Sequence, residues 1–324
     1  MMSTKLFRGL TREELEAQYF LRGTRPNYET VDLPAWLERS KRFVESAKPT
    51  LDLSYGPGRR NKLDYFSAGP QSKGFVLYIH GGYWQRGDKS VYSFMAEPLV
   101  RHGYSVALMN YHMCPEVRIS EIAPQTRLAV AWLWRNADEL NIRRDNFNVM
   151  GHSAGGHLTA EMLFTDWPSE ATDLPRDLVH AGLAFSGTFD FEPILYCSEN
   201  NGLRMDAAEA RQVSPIFRLP ATNAPQLISY GLNEPQELHR QSIEYAERFR
   251  SMSKNLELLP IPAADHFEVV DVMSNPESET FSRILAFIAV YRRLPTDPHR
   301  SHSPDHGCFF VTDGLKAVRN FAWE

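Results

Sequence analysis

The segment that decides the fold reads FNVMGHSAGGH, at residues 147–157. It begins as a short apolar strand, turns sharply, and continues with the apolar pattern of a helix. The turn carries the motif Gly151-x-Ser153-x-Gly155, in which the glycines let strand and helix approach without a clash of β-carbons. Such a turn holds a hydroxyl clear of the backbone, where a neighbouring base can activate it. The segment therefore predicts that Ser153 is a nucleophile at the N-terminus of a helix.

Strand and helix patterns alternate on both sides of this segment. A continuous apolar run, which is typical of a parallel strand buried on both faces, occurs at residues 75–79. Further strands are predicted at residues 104–109, 181–185, 225–230 and 256–261. Helical patterns lie between or after them, at residues 92–102, 119–140, 237–253 and 281–291. The alternation predicts an α/β fold with a mostly parallel central sheet and helices on both faces.

The chain is expected to have three parts. Residues 1–50 have helical periodicity and a capping-box pattern, which predict an N-terminal helical segment packed on the main domain. Residues 51–294 form that domain, which starts with two antiparallel strands. Its insertion at about 189–220 is too long for a simple crossover, so we expect a small cap over the site. Residues 295–324 lack clear periodicity until near their end, which indicates a partly disordered C-terminal extension.

Charge and cysteine content exclude several classes of function. The 324 residues carry a formal net charge of -5, which argues against nucleic acid or an anionic membrane as the main partner. No apolar run has the length of a membrane span or the form of a signal peptide. The three cysteines lack the spacing of metal ligands, so we expect neither a metal nor another cofactor. Their odd number favours free thiols in a reducing cytoplasm. A small-molecule substrate is the expected partner, and an exposed sheet edge could support a homodimer.

A nucleophilic serine requires a base and an acid that orients the base. His266 is the candidate base, because it follows the last predicted strand after a short loop. For the acid we prefer Glu234, in the loop after the strand at residues 225–230. Asp190 and Asp265 are the alternatives. Asp190 is better placed to shape the cap loop, and Asp265 adjoins the histidine, where a side chain does not easily fold back onto the neighbouring imidazole.

The sequence HGGYW, at residues 80–84, directly follows the strand at residues 75–79. Its glycines can present bare backbone N–H groups to a substrate, and each such donor stabilises a transition state by roughly 3–4 kcal/mol. His80 is expected to brace this loop rather than act in catalysis. The candidate oxyanion hole consists of four backbone amides, those of Gly81, Gly82, Tyr83 and Ala154.

The motif pair HGGYW and GHSAG is similar to that of the arylformamidase, or kynurenine formamidase, group of α/β-hydrolases. The resemblance extends from about residue 55 to residue 288, and it includes cap and loop segments as well as the two motifs. It implies the α/β-hydrolase fold, with the nucleophile at Ser153, the acid at Glu234 and the base at His266. Glu234 departs from the animal enzymes of this group, which have aspartate at this position.

The resemblance also implies an activity, the hydrolysis of N-formyl-L-kynurenine to L-kynurenine and formate in tryptophan breakdown. The reaction would proceed through a formyl ester on Ser153. Trp84, Tyr111 and His157 are candidates for contact with the substrate. Two alternatives stay open: a carboxylesterase or aryl-amidase that acts on another small acyl group, and an inactive fold that serves as a binding module. The presence of a serine, a carboxylate and a histidine in the required order argues against the second.

Overall fold

An eight-stranded sheet runs through the computed structural model, which describes residues 4–253 and 255–290. Its strands are β1 (Thr50–Ser54), β2 (Lys62–Phe66), β3 (Gly74–Ile79), β4 (Tyr104–Met109), β5 (Phe147–His152), β6 (Ala181–Phe185), β7 (Gln226–Gly231) and β8 (Leu256–Ile261). They are arranged in the order β1-β2-β4-β3-β5-β6-β7-β8. Strands β3 to β8 run parallel, whereas β1 and β2 pair antiparallel at one edge. The predicted mostly parallel sheet is confirmed.

Helices follow most of the strands. Within the described part of the chain the α-helices are α1 (Arg12–Tyr19), α2 (Leu21–Thr24), α3 (Leu33–Ala47), α4 (Ala96–Arg101), α5 (Ile122–Arg135), α6 (Ala154–Leu163), α7 (Trp167–Glu170), α8 (Asn200–Leu203), α9 (Ala207–Gln212), α10 (Gln236–Phe249), α11 (Glu268–Ser274) and α12 (Glu279–Val290). The predicted capping box at the start of α1 is present: the Thr11 hydroxyl and the Glu14 carboxylate each accept a hydrogen bond from the other residue's backbone amide.

Successive residues of β3 point to opposite sides of the sheet, as the period of a strand requires. Phe75, Leu77 and Ile79 belong to a buried cluster that includes residues of α5 and α6. Val76 and Tyr78 belong to a second cluster, which includes residues of α3, α4, α11 and α12. Because both faces of the central strand are covered, its sequence is a continuous apolar run rather than an alternating one.

Several helices differ from the sequence prediction. The helix predicted at 119–140 starts with a 3₁₀ turn and ends at Arg135. The side-chain amide of Asn136 donates to the carbonyl of Trp132 at 2.8 Å, which satisfies an acceptor at the helix end. The helix predicted at 92–102 is divided into a 3₁₀ turn and α4. The sequence pattern did not predict α11, because this helix has only seven residues.

The N-terminal segment is held on the domain by polar contacts as well as by packing. The Arg25 guanidinium lies 3.0 Å from a carboxylate oxygen of Asp265 and 3.3 Å from one of Glu268. The indole N–H of Trp36 donates to the carboxylate of Asp271 at 3.1 Å. These contacts join residues near the start of the chain to the loop and helix that follow β8.

Several sequence predictions concern thiols, membranes and the end of the chain. The thiols of Cys114 and Cys197 are free, and burial raises the pKa of each to about 12. Cys308 and the predicted extension at residues 295–324 lie outside the described residues. Between residues 4 and 290, with residue 254 left aside, no helix combines the length and the apolar character that a bilayer crossing requires.

A buried ion cluster fixes the edge of the sheet next to β2. The Lys89 ammonium lies 2.8 Å from carboxylate oxygens of both Asp52 and Asp64. Asp64 is only 2% exposed, and it also accepts the backbone amide of Asp52 at 2.9 Å. Burial raises the pKa of the Asp64 carboxyl, and the neighbouring ammonium acts in the opposite direction. The charge on Asp64 therefore depends on Lys89.

Replacing Lys89 with Met should lower the free energy of unfolding by about 3–5 kcal/mol at pH 7, because it leaves a buried carboxylate without its partner. In the variant the pKa of Asp64 rises further above its unfolded value. The loss should therefore shrink towards pH 4, where the carboxyl is protonated in the folded variant and about half protonated in the unfolded chain, and grow as the pH rises. Urea unfolding between pH 4 and pH 7 measures the effect. The exposed Lys41 supplies the control Lys41→Met, and equal losses in the two variants would contradict the prediction.

Candidate active site

Ser153 lies on the sharp turn between β5 and α6 and has a left-handed backbone conformation, with φ of 58°. Its amide donates to the carbonyl of Phe185 at 2.8 Å, which ties the turn to the end of β6. A β-carbon at Gly155 would lie 1.9 Å from the carbonyl oxygen of Ile79, and one at Gly151 would lie 2.3 Å from that of Gly155. The glycines therefore permit the contact between strand and helix, and the turn predicted from the sequence is confirmed.

A pocket of about 510 Å³, open to solvent, contains Ser153 and His266 in its wall. Gly81, Gly82 and Tyr83 line it as well. All of these residues lie at the carboxyl ends of parallel strands, on loops that follow β3, β5 and β8. Segments that are far apart in the sequence thus meet at one edge of the sheet, where an α/β fold places its ligands.

Glu234 is hydrogen-bonded to His266, with 2.6 Å between its Oε1 and the imidazole Nδ1. Its other oxygen accepts the Ser186 hydroxyl at 3.0 Å and the backbone amide of Gly231 at 2.7 Å. The Glu234 side chain is completely buried. Because an ionised carboxylate can only accept, Nδ1 carries the proton and Nε2 is left as the acceptor. His266 is thereby oriented as a base.

The two alternative acids have other partners. Asp190 lies 3.6 Å from the guanidinium of Arg240, and burial raises the pKa of its carboxyl. Asp265 pairs with Arg25 and accepts backbone amides at the start of α11. Neither carboxylate is hydrogen-bonded to His266, so the geometry favours Glu234, as the sequence does.

The glycine-rich loop after β3 lies directly against Ser153, since a β-carbon at Gly81 would be 3.0 Å from the serine β-carbon. Gly82 has φ of 127°, and a β-carbon there would lie 2.0 Å from a backbone oxygen of Arg86. Within residues 4–253 and 255–290, the amides of Gly82, Tyr83 and Ala154 donate to no backbone or side-chain acceptor. Free amides beside a nucleophile are what an oxyanion hole requires.

His80 supports this loop through a hydrogen bond and through stacking of its ring. Its Nδ1 donates to the carbonyl of Gly81 at 2.7 Å, and its ring lies parallel to those of Tyr92 and Tyr111. Burial lowers the pKa of His80 to about 4, so the ring is neutral at physiological pH. The position agrees with the bracing role expected from the sequence.

Three residues expected to contact the substrate are not in the pocket wall. Trp84 is 1% exposed, and its indole N–H donates to Nδ1 of His157 at 3.2 Å. Nε2 of His157 bonds the carbonyl of Val213 at 2.9 Å, so both ring nitrogens are occupied. The Tyr111 hydroxyl donates to the carbonyl of His80 at 3.0 Å. These side chains support the loops in this structure, and substrate contact by Trp84, Tyr111 and His157 stays a prediction.

His152 lies beside the base, with its ring centre 4.5 Å from that of His266. It lines the pocket, and burial together with the neighbouring imidazole holds its pKa well below the usual range. The ring is therefore neutral. A neutral neighbour does not repel the positive charge that forms on His266 when it accepts a proton.

The N-terminal segment forms much of the outer wall of the pocket, contributing Leu21, Arg22, Tyr28 and Trp36. The insertion at 189–220 contributes Glu199 alone among the lining residues. Its apolar side chains, such as Phe191 and Ile194, are buried in the core instead. The insertion thus meets the pocket at Glu199, and its role as a cap over the site stays a prediction. No sequence motif marks residues 21–36 as part of the site, because their role depends on tertiary packing.

Comparison with known proteins places the chain in a family. A family model described as BD-FAE matches residues 65–178. Kynurenine formamidase from Salmo salar is 30% identical over 242 residues, which cover 72% of this chain and 80% of the relative. This chain belongs to the kynurenine formamidase family. The kynurenine formamidase of Drosophila melanogaster is 26% identical over 263 residues, covering 78% of this chain and 86% of the relative.

Solved structures support the α/β-hydrolase fold of this kynurenine formamidase family member. A protein from Silicibacter sp. TM1040, provisionally described as a thioesterase, is 30% identical and gives a TM-score of 0.73, covering 85% of this chain and 98% of its own. An esterase from Mycobacterium marinum gives a TM-score of 0.63 at 19% identity, covering 82% of this chain and 87% of its own. The second likeness concerns the fold alone, and the predicted fold is confirmed.

Replacing Glu234 with Gln should lower kcat of this kynurenine formamidase family member by about 10²–10⁴-fold, because an amide donor disfavours the tautomer in which Nδ1 carries the proton. Steady-state kinetics with a formamide or an activated ester measures the loss. Asp190→Asn is the matched control, and we expect it to change kcat less than threefold. A larger loss in Asp190→Asn than in Glu234→Gln would contradict the assignment of the acid.

Proposed function

We propose that this chain hydrolyses N-formyl-L-kynurenine to L-kynurenine and formate, with Ser153 as the nucleophile. The observation that carries the proposal is the buried hydrogen bond between Glu234 and His266, in a pocket that also contains Ser153. Membership of the kynurenine formamidase family supports the choice of a formamide substrate.

The first half of the reaction forms a formyl ester. Nε2 of His266 takes the proton of the Ser153 hydroxyl while the serine oxygen attacks the formyl carbon. The C=O electron pair moves onto the formyl oxygen, and the amides of Gly82, Tyr83 and Ala154 hold the resulting negative charge. The C–N bond then breaks, and His266 returns its proton to the departing arylamine nitrogen.

The second half releases formate. A water molecule attacks the formyl ester while Nε2 of His266 takes one of its protons, and the serine oxygen leaves with that proton. Glu234 stays ionised throughout and stabilises the imidazolium that forms in each half. An arylamine is a better leaving group than an alkylamine, so a site of the esterase type suffices for this amide. The reaction requires water as the only co-reactant.

A carboxylesterase activity is the second candidate. An esterase from Mycobacterium tuberculosis is 25% identical over 217 residues, which cover 60% of this chain and 53% of the relative. The proposed triad suits esters as well as formamides, so the catalytic groups by themselves do not select between them. We further propose the cytoplasm as the compartment, since the two described cysteines are unpaired thiols.

The first experiment compares kcat/KM for N-formyl-L-kynurenine with kcat/KM for p-nitrophenyl acetate. We expect the formamide to be preferred by at least tenfold, despite the better leaving group of the ester. Ser153→Ala serves as the blank for background hydrolysis. If the protein cleaves the ester but not the formamide, the proposed formamidase activity is wrong and the chain acts as an esterase. The assignment of the triad would be unchanged.

Ser153→Ala and His266→Ala should each lower kcat by at least 10³-fold, because each removes a group that the acyl transfer requires. Ser153 is partly exposed in the pocket, so its variant should keep its thermal unfolding midpoint within a few degrees. His266→Ala should lower the midpoint further, because it removes a hydrogen-bond partner of the buried Glu234 carboxylate. Circular dichroism checks that each variant is folded. Full activity in either folded variant would remove that residue from the mechanism.

A further inference from the structure

Two guanidinium groups, those of Arg22 and Arg86, lie in the wall that the pocket shares with a neighbouring cavity. Arg22, Tyr28 and Arg86 line the pocket that contains Ser153, and the same three residues line a second, outer cavity of about 700 Å³. They therefore stand at the passage between the two cavities. A substrate whose reacting group lies at the serine would extend its far end past these side chains.

Arg22 is held in place without being neutralised by a buried partner. Its guanidinium carbon lies 4.1 Å from the centre of the Tyr28 ring, which is a cation–π contact. Its carboxylate partner is Glu29, whose side chain is 59% exposed. An ion pair with so exposed a partner is weak and exchanges readily with other anions. Arg22 can therefore accept a carboxylate from a ligand.

Arg86 is held by a different, buried carboxylate. Its guanidinium lies 3.1 Å from a carboxylate oxygen of Glu199, which is 7% exposed. Glu199 also accepts the side-chain amide of Gln85 at 3.0 Å. The Glu199 carboxylate is thus paired with Arg86 and Gln85, and it fixes the guanidinium while offsetting part of its charge. Nη1 and Nη2 of Arg86 each donate to Glu199, and Nε together with the outer N–H groups is left for a ligand on a side chain that is 41% exposed.

A third arginine of the outer cavity, Arg25, does not contribute free charge. Its guanidinium makes ion pairs with Asp32 at 2.9 Å, with Asp265 at 3.0 Å and with Glu268 at 3.3 Å. Arg25 therefore has a structural role. Arg22 is therefore the arginine whose carboxylate partner is exposed, and Arg86 is the arginine that keeps N–H donors for a ligand.

We propose that Arg22 and Arg86 form an anion subsite at the mouth of the pocket, which binds the α-carboxylate of the substrate's amino-acid tail. This inference rests on the proposed function, because it assumes a substrate with a formamide at one end and a carboxylate at the other. N-formyl-L-kynurenine has this form, with an aryl ketone between the two groups. Guanidinium groups bind carboxylates through paired, charge-assisted hydrogen bonds, which are stronger than neutral ones.

The subsite also explains how one triad can select a formamide of an amino acid over a neutral ester. The carboxylate would anchor the tail at the mouth, and the aromatic and apolar wall formed by Tyr28, Trp36, Phe267 and Val270 would cover the ring. A neutral ester lacks the anchored end, so it gains nothing from the two guanidiniums. The substrate would then be selected by contacts to its tail, which lies away from the bond that is cleaved.

The test compares two substrates that differ only in the charge of the tail: N-formyl-L-kynurenine and its α-carboxamide. For the unaltered protein we expect kcat/KM to favour the carboxylate by about 10- to 100-fold, as for a hydrogen bond to a charged group. In Arg22→Gln this preference should fall at least tenfold, through KM rather than kcat. Arg22→Lys should recover part of it, because the charge is kept while the paired geometry is lost.

Two further measurements distinguish the loss of a charge contact with the substrate from a general disturbance of the pocket. The KM for the carboxylate should rise with salt between 20 and 500 mM NaCl, whereas the KM for the carboxamide should not. Arg42→Gln, which removes an exposed arginine of α3, is the matched control and should leave the preference intact. An equal loss for both substrates in Arg22→Gln, or no carboxylate preference in the unaltered protein, would overturn the subsite. Inactivity towards both formamides with activity towards p-nitrophenyl acetate would instead overturn the proposed function.

Discussion

The close approach of α6 to the ends of β3 and β5 is the constraint on which the rest of the site depends. A β-carbon at Gly155 would occupy the place of the Ile79 carbonyl oxygen, so only glycine allows the helix to start there. Because the helix starts so close to the sheet, Ser153 takes a left-handed conformation, which is strained for a residue with a side chain. The same approach brings the glycine-rich loop after β3 against the serine. Nucleophile and free amides are therefore positioned by backbone packing rather than by side-chain contacts.

The base depends on a second, buried arrangement. Glu234 receives hydrogen bonds from His266, Ser186 and the amide of Gly231, and its side chain is inaccessible to solvent. A buried carboxylate is costly unless it is fully hydrogen-bonded, and here each oxygen has a partner. Glutamate is one methylene longer than aspartate. In this structure the extra length is accommodated by a turn in which the carboxylate returns to the amide of Gly231, three residues earlier.

Much of this could be predicted from the sequence, because the signals were local. The apolar run at 75–79 and the motif around Ser153 located the sheet and the turn, and loop positions after strands identified Glu234 and His266. The roles of Trp84 and Tyr111 could not be predicted in this way. An aromatic residue beside a catalytic motif can face either the ligand or the core, and only the hydrogen bonds of the folded chain distinguish the two.

The outer wall of the pocket could not be predicted for a different reason. Arg22 and Tyr28 lie more than 120 residues before Ser153 and carry no pattern that relates them to it. Their position depends on contacts such as those of Arg25 with Asp265 and with Glu268, which require the completed fold. Long-range pairing of this kind has no signature in a single sequence.

The wall contributed by the N-terminal segment has a consequence for how such a scaffold diversifies. The groups that make and break bonds are carried by loops of the sheet, whereas the surface that meets the far end of a ligand is carried largely by a separate stretch of chain. Changes in that stretch can alter ligand preference while the acid–base machinery keeps its geometry. Chemistry and selectivity are thus encoded in different parts of the gene product, and each can change without the other.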